Sequence, residues 1–221
     1  MNLTYYGFQP FKITPGKVVV LATGSPHIYQ EIILGLQDRT DTVKLSDDNF
    51  TTVTVGKGAQ WYGDPLLNVD LNALFQRKLQ TRLLKVLADD QTVGLVDGLQ
   101  SLLSQLLADS YLMDVPLELP ETPELAKLIK FSGIQLVPDL RDDVYGILET
   151  LVKTLIELND HRMVVLTNVG HYLQVGQLQS LVRFMANIDL PILLIEFSST
   201  KQSDYFRNCD YHYIDSDFVL W

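Results

Sequence analysis

Hydrophobic positions follow three different rhythms along the chain. Lys17–Thr23 (KVVVLAT) is a compact apolar run rich in β-branched residues. That pattern predicts a strand buried on both faces of a sheet. Gly24-Ser25-Pro26 breaks the run, and Pro26 suits the first turn of a helix through Ile28, Ile32, Ile33 and Leu36. Thr51–Val55 (TTVTV) predicts another strand, closed by Gly56-Lys57-Gly58. From about residue 65 to 158 the rhythm becomes helical. Leu71–Leu87 and Gly94–Leu107 are leucine-dense without proline, Glu124–Phe131 predicts a short helix ended by Gly133, and Asp142–Asn159 repeats apolar residues at three/four spacing. Beyond it the strand rhythm returns at Met163–Thr167 and Ile192–Phe197, with a helix over Val175–Ala186 between them and an alternating Asp210–Leu220 at the end.

Strands before and after a helical block, joined by helical crossovers, predict an α/β fold. Its expected form is a doubly wound, mostly parallel sheet with a long α-helical insertion. Residues 1–64 and 159–221 would form the α/β head, and 65–158 a helical leg.

Composition narrows the class. With 221 residues, 47% hydrophobic and 20% charged, the chain can bury a full core. MNLTYYGFQPFKI lacks the basic and apolar regions of a signal peptide, and no apolar run is long enough to span a bilayer. The single cysteine, Cys209, excludes an intrachain disulfide and points to a reducing cytoplasm.

Most catalytic motifs fail. The strand–turn–helix at Lys17–Leu36 is where a phosphate-binding loop would sit. Its turn, Ala22–His27, has one glycine, no GK[ST], and a proline that removes a donor. Met163–Thr167 ends in Asn168, where a metal-holding acid would be needed. His27, His161, His171 and His212 show no ligand spacing, no serine sits in a GxSxG elbow, and Cys209 has no evident base partner. No nucleotide is expected.

The net charge of −10 opposes nucleic-acid binding unless positive charge is concentrated locally. One concentration exists. Between Leu71 and Ala88 stand Arg77, Lys78, Arg82 and Lys85, and no acid. Lys78, Arg82 and Lys85 share a helical face at i, i+4 and i+7, with Leu79, Leu83, Val86 and Leu87 mostly round the other side. Lys127 and Lys130 on the short helix would extend the face. It is either a phosphate-tracking surface or a solvated face paired with acids such as Asp139, Asp142 and Asp143. The counterpart is an acidic, proline-punctuated stretch from Asp109 to Glu124, carrying Asp114, Glu118, Glu121 and Glu124. Oxygen-rich loops of this kind hold calcium, although the Asp-x-Asp-x-Asp-Gly order is missing and a plain solvated loop stays open.

The run RMVVLTNVGHYLQVGQLQSLVRFMANIDLPILLIEFSS, the terminal YHYIDSDFVL and the segment Glu124–Gly133 (ELAKLIKFSG) carry a family likeness. Together they resemble the ring-forming adaptation protein of type II-A CRISPR systems. The resemblance implies an α/β head laid out like a phosphate-loop ATPase without its active site, plus a long helical leg. It further implies a calcium-stabilised homotetrameric ring with a basic hole that threads double-stranded DNA, often at free ends. Such a protein serves spacer acquisition beside the integrase subunits and the effector nuclease, without catalysis of its own. Lys130 and Glu121 match the family. Lys127 stands where short members carry a glutamate, and Leu119 replaces an acid. Two rival readings remain, a degenerate phosphate-loop-like nucleotide-binding enzyme and a helical protein–protein adaptor that does not bind DNA.

Overall fold

The computed structural model describes residues 1–110, 112–113, 115, 117–119, 124–137 and 143–221. The chain folds into two compact units, Met1–Asp70 with Pro138–Trp221, and Leu71–Val137.

The first unit is built on a parallel sheet. Its strands follow the apolar runs: β3 (Val18–Thr23), β6 (Ala59–Gly63), β7 (Met163–Thr167), β8 (Ile192–Phe197) and β9 (Asp210–Ile214). They lie side by side in the order β6-β7-β8-β3-β9, with every pairing parallel. Val20 faces Leu194 on one side and Tyr211 on the other, which sets the register of the centre. A smaller antiparallel sheet, in the order β2-β1-β4-β5, joins β1 (Asn2–Tyr5), β2 (Phe11–Lys12), β4 (Val43–Ser46) and β5 (Thr52–Val53). TTVTV thus supplies only two strand residues, because Val55 already begins a short helical turn, α2 (Val55–Gly58).

Alternation in the strands separates the two faces of the parallel sheet. Val19, Leu21, Val165, Leu193 and Ile195 cluster with Ile28, Ile32 and Leu36 of α1 (Pro26–Leu36) and with Leu3, Tyr5, Val43 and Leu45 of the small sheet. α1 begins as its sequence demands, with Ser25 accepting the Ile28 N–H at 3.5 Å and Pro26 in the first turn. The same unit holds two strongly amphipathic helices that touch each other, α6 (Val144–Glu157) and α7 (Val175–Met185). α6 buries Ile147, Leu148, Leu151, Val152 and Leu155. This burial is why the segment is grouped with the head strands. The helical unit accordingly runs from Leu71 to Val137, against the 65–158 expected for the leg.

The second unit holds α3 (Leu71–Val86), α4 (Asp89–Ser110) and α5 (Leu125–Phe131). α3 packs on α5. Asn72 binds the Leu136 backbone twice, donating to its carbonyl at 3.1 Å and accepting its N–H at 2.8 Å. Gln80 donates to the Ile134 carbonyl at 3.1 Å. By contrast α4 has no buried residue, and Val93, Leu95, Leu102 and Leu106 are exposed. No described helix is long and apolar enough to cross a membrane.

Candidate nucleic-acid interface

α3 presents its basic residues outward. Arg77, Lys78, Arg82 and Lys85 are all exposed. The Lys78 ammonium lies 5.9 Å from the centre of the Phe75 ring, an attractive cation–π geometry. Leu71, Phe75, Lys78, Arg82 and Lys85 follow one another at intervals of four, three, four and three residues. They therefore form one row along the helix. The row itself mixes apolar and basic residues. Leu71 and Phe75, buried at the start of α3, run directly into the exposed basic half of the same row.

α5 contributes Lys127 and Lys130, both exposed, while Ile129 faces inward. Lys127 is already engaged. Its ammonium pairs with Glu124 one turn earlier, at 2.8 Å. The net positive charge that α5 offers a phosphate is therefore carried by Lys130. Of the acids suggested as stripe partners, Asp139 and Asp142 lie outside the described residues, and Asp143 is the residue that precedes α6.

The calcium candidates are only partly in view. Asp114 and Glu121 lie outside the described residues. Glu118 is exposed, and Glu124 is committed to Lys127. Among the described residues no three carboxylate, histidine or cysteine side chains gather closely enough to hold a metal.

The C-terminal edge of the parallel sheet is where an α/β fold of this kind would place a ligand. The turn after β3 has no lysine, and its glycine is closely packed. A Cβ on Gly24 would meet the Ser198 carbonyl and the Tyr213 hydroxyl, each at 3.0 Å. After β7, Asn168 adopts a left-handed backbone (φ 56°) and its side-chain oxygen accepts the Tyr29 hydroxyl at 3.0 Å. Four residues at this edge carry no sequence motif, yet the fold brings them together: Tyr29, Asp64, Tyr172 and Glu196. Asp64 accepts the Tyr172 hydroxyl at 2.8 Å and the backbone N–H groups of Leu66 and Leu67. The bond to Asp64, with burial, pushes the Tyr172 hydroxyl up to about 12. Glu196, 2% exposed, accepts the Gly170 N–H at 3.0 Å and also bonds the Val169 N–H. Burial, reinforced by the Asp64 charge, pushes its carboxyl up to about 7 despite those two bonds. The one signal available in sequence was a lone acid inside the apolar run ILLIEF.

Fold and site together define a class. It is a parallel α/β domain without phosphate-loop chemistry, carrying a helical insertion with an exposed basic row. Residues 38–218 match the family described as CRISPR-associated protein (Cas_Csn2). The chain belongs to this family, as the sequence resemblance implied. Its fold is similar to that of Stu0660 of Streptococcus thermophilus, known from a crystal structure. The TM-score is 0.54 at 12% identity, over 97% of this chain and 74% of that one. No curated protein matches the chain in sequence.

Proposed function

We propose that this CRISPR-associated protein binds double-stranded DNA without reading its sequence and works, without catalysis, in spacer acquisition beside the integrase subunits and effector nuclease. The observation that carries the reading is the acid-free, outward-facing row on α3. Its spacing follows a helix face, as contact with a phosphate backbone requires. A single copy suits duplex DNA poorly, because the whole chain has a net charge of −10. Several copies that turn their basic rows toward one duplex would concentrate positive charge and leave the acids outside.

α4 supports such an assembly. Its leucines are exposed in the single chain, and a second copy of the chain would cover them. A homotetrameric ring is the arrangement we infer. Mass measurement by sedimentation should give a tetramer, and a stable monomer would overturn the assembly.

DNA binding is tested by gel shift with linear and closed-circular duplexes across salt concentrations. Affinity should fall steeply with salt. Neutralising Lys78 or Lys85 should lower the log–log slope by about one unit and leave the lack of sequence preference intact. Binding that is insensitive to salt, or that survives neutralisation of Arg77, Lys78 and Lys85 together, would refute it.

A further inference from the structure

The C-terminal edge of the parallel sheet holds a surface crevice that the DNA reading does not use. Pro26, Tyr29, Asn168, His171 and Phe197 line about 290 Å³ of space. These residues come from the segments following β3 and β7 and from the last residue of β8. The chain leaves β3 through α1 and leaves β7 through α7. Its apolar wall is an aromatic pair, Tyr29 and Phe197, set edge to face with centroids 5.3 Å apart.

Its electrostatics are one-sided. No lysine or arginine lines it. Glu196 and Asp64, both buried, make no ion pair among the described residues, and both act on the Tyr29 hydroxyl by charge. A phosphate is the wrong guest beside such charge. Two acceptors stand at the rim with lone-pair capacity to spare, the Asn168 Oδ1 that accepts from Tyr29 and the Phe197 carbonyl that His171 Nε2 reaches at 3.3 Å.

We propose that this crevice receives an arginine side chain of a partner protein, its guanidinium packed against a ring of the Tyr29–Phe197 pair and drawn by the charge of Glu196 and Asp64 that reaches Tyr29. Charge complementarity selects a cation. The aromatic rings and the two rim acceptors select the planar, weakly hydrated, multiply donating guanidinium over an ammonium. The crevice belongs to the α/β unit and shares no residue with α3, so the inference does not depend on the DNA reading.

Binding should strengthen from pH 6 to pH 8 as Glu196 ionises. The groups acting on Glu196 by charge are Asp64 past β6, Tyr29 of α1, Tyr205 and Cys209 in the segment after β8, and Tyr211 of β9. None of them is a cation. His171 stands at the rim, its Nε2 3.3 Å from the Phe197 carbonyl.

The test titrates the full, isotopically labelled chain with acetyl-Gly-Arg-Gly-amide at pH 8, following backbone amide shifts. Saturable shifts are expected at Tyr29, Asn168–His171 and Phe197. The lysine counterpart should bind about threefold or more weakly, and Tyr29→Leu should cost the arginine peptide a similar factor. Glu196→Gln should weaken binding at pH 8 and abolish the gain between pH 6 and pH 8, and it decides the matter should Tyr29→Leu fail to fold. Equal affinity for the two peptides, stronger shifts at these amides with inorganic phosphate or AMP, or shifts that never saturate would overturn the assignment. Variants of α3 that lose DNA should keep the peptide response, so the two readings fail separately.

Discussion

Glu196 offers the sharpest quantitative test of this structure. Its carboxyl is fully buried, is held by the N–H groups of the turn after β7, and has no cationic partner among the described residues. In the unfolded chain it ionises near its ordinary value of 4.5, whereas in the fold it ionises at about 7. Between those values the native state keeps a proton that the unfolded state has released, so stability is greatest below the lower value and declines as pH rises through the upper one. Holding the group at about 7 against 4.5 corresponds to about 3 kcal/mol lost across that window. Glutamine has the same shape, and its Oε1 still accepts the Gly170 N–H, but it does not titrate. Glu196→Gln should therefore match the native protein near pH 5 and exceed it by about 3 kcal/mol at pH 8. For a chain of this size that is a rise of the order of 5–10 °C in melting temperature. Thermal and urea unfolding at pH 5, 6, 7 and 8 measure it. Parallel pH profiles for the two proteins would refute the reasoning, because they would mean that the carboxyl titrates at the same pH whether folded or not.

Three further outcomes are expected. A Cβ on Gly35 of α1 would stand 2.7 Å from the Thr42 hydroxyl and 2.8 Å from the Val43 side chain, so Gly35→Ala should cost about 1–3 kcal/mol in urea unfolding despite alanine's better helix propensity. Cys209 has its thiol pushed up to about 12 by burial and by the Glu196 charge, so a thiol reagent at pH 8 should modify it quickly only after denaturation. Asn72→Ala removes both hydrogen bonds that tie Leu136 to α3 and should destabilise the helical unit by about 1–3 kcal/mol, seen as faster hydrogen exchange at residues 134–137.

What the sequence determined by itself lay in contiguous patterns. KVVVLAT, MVVLT and ILLIEF are strands because apolar runs of that length, rich in β-branched residues, fit a sheet covered on both faces. α1, α3, α6 and α7 were visible through their spacing, α1 also through Ser25-Pro26. The basic residues of α3 and the missing phosphate-loop chemistry were legible for the same reason, since both depend on neighbours in the chain. Long-range pairing decided the remainder. Ala59–Gly63 (AQWYG) has no strong strand pattern and becomes β6 because the edge of β7 offers it hydrogen bonds. Asn2–Tyr5 and Val43–Ser46 become strands because they pair with each other across about forty residues. α6 looked like part of the helical block. Its buried face groups it with the α/β unit, a preference set by burial that amphipathic spacing alone does not assign. The row on α3 likewise showed its mixed character only once Leu71 and Phe75 were seen to be buried. Tyr29, Asp64, Tyr172 and Glu196 come from four separate segments, and only the closed sheet brings them near enough to bond, as Asp64 and Tyr172 do, or to act on one another by charge.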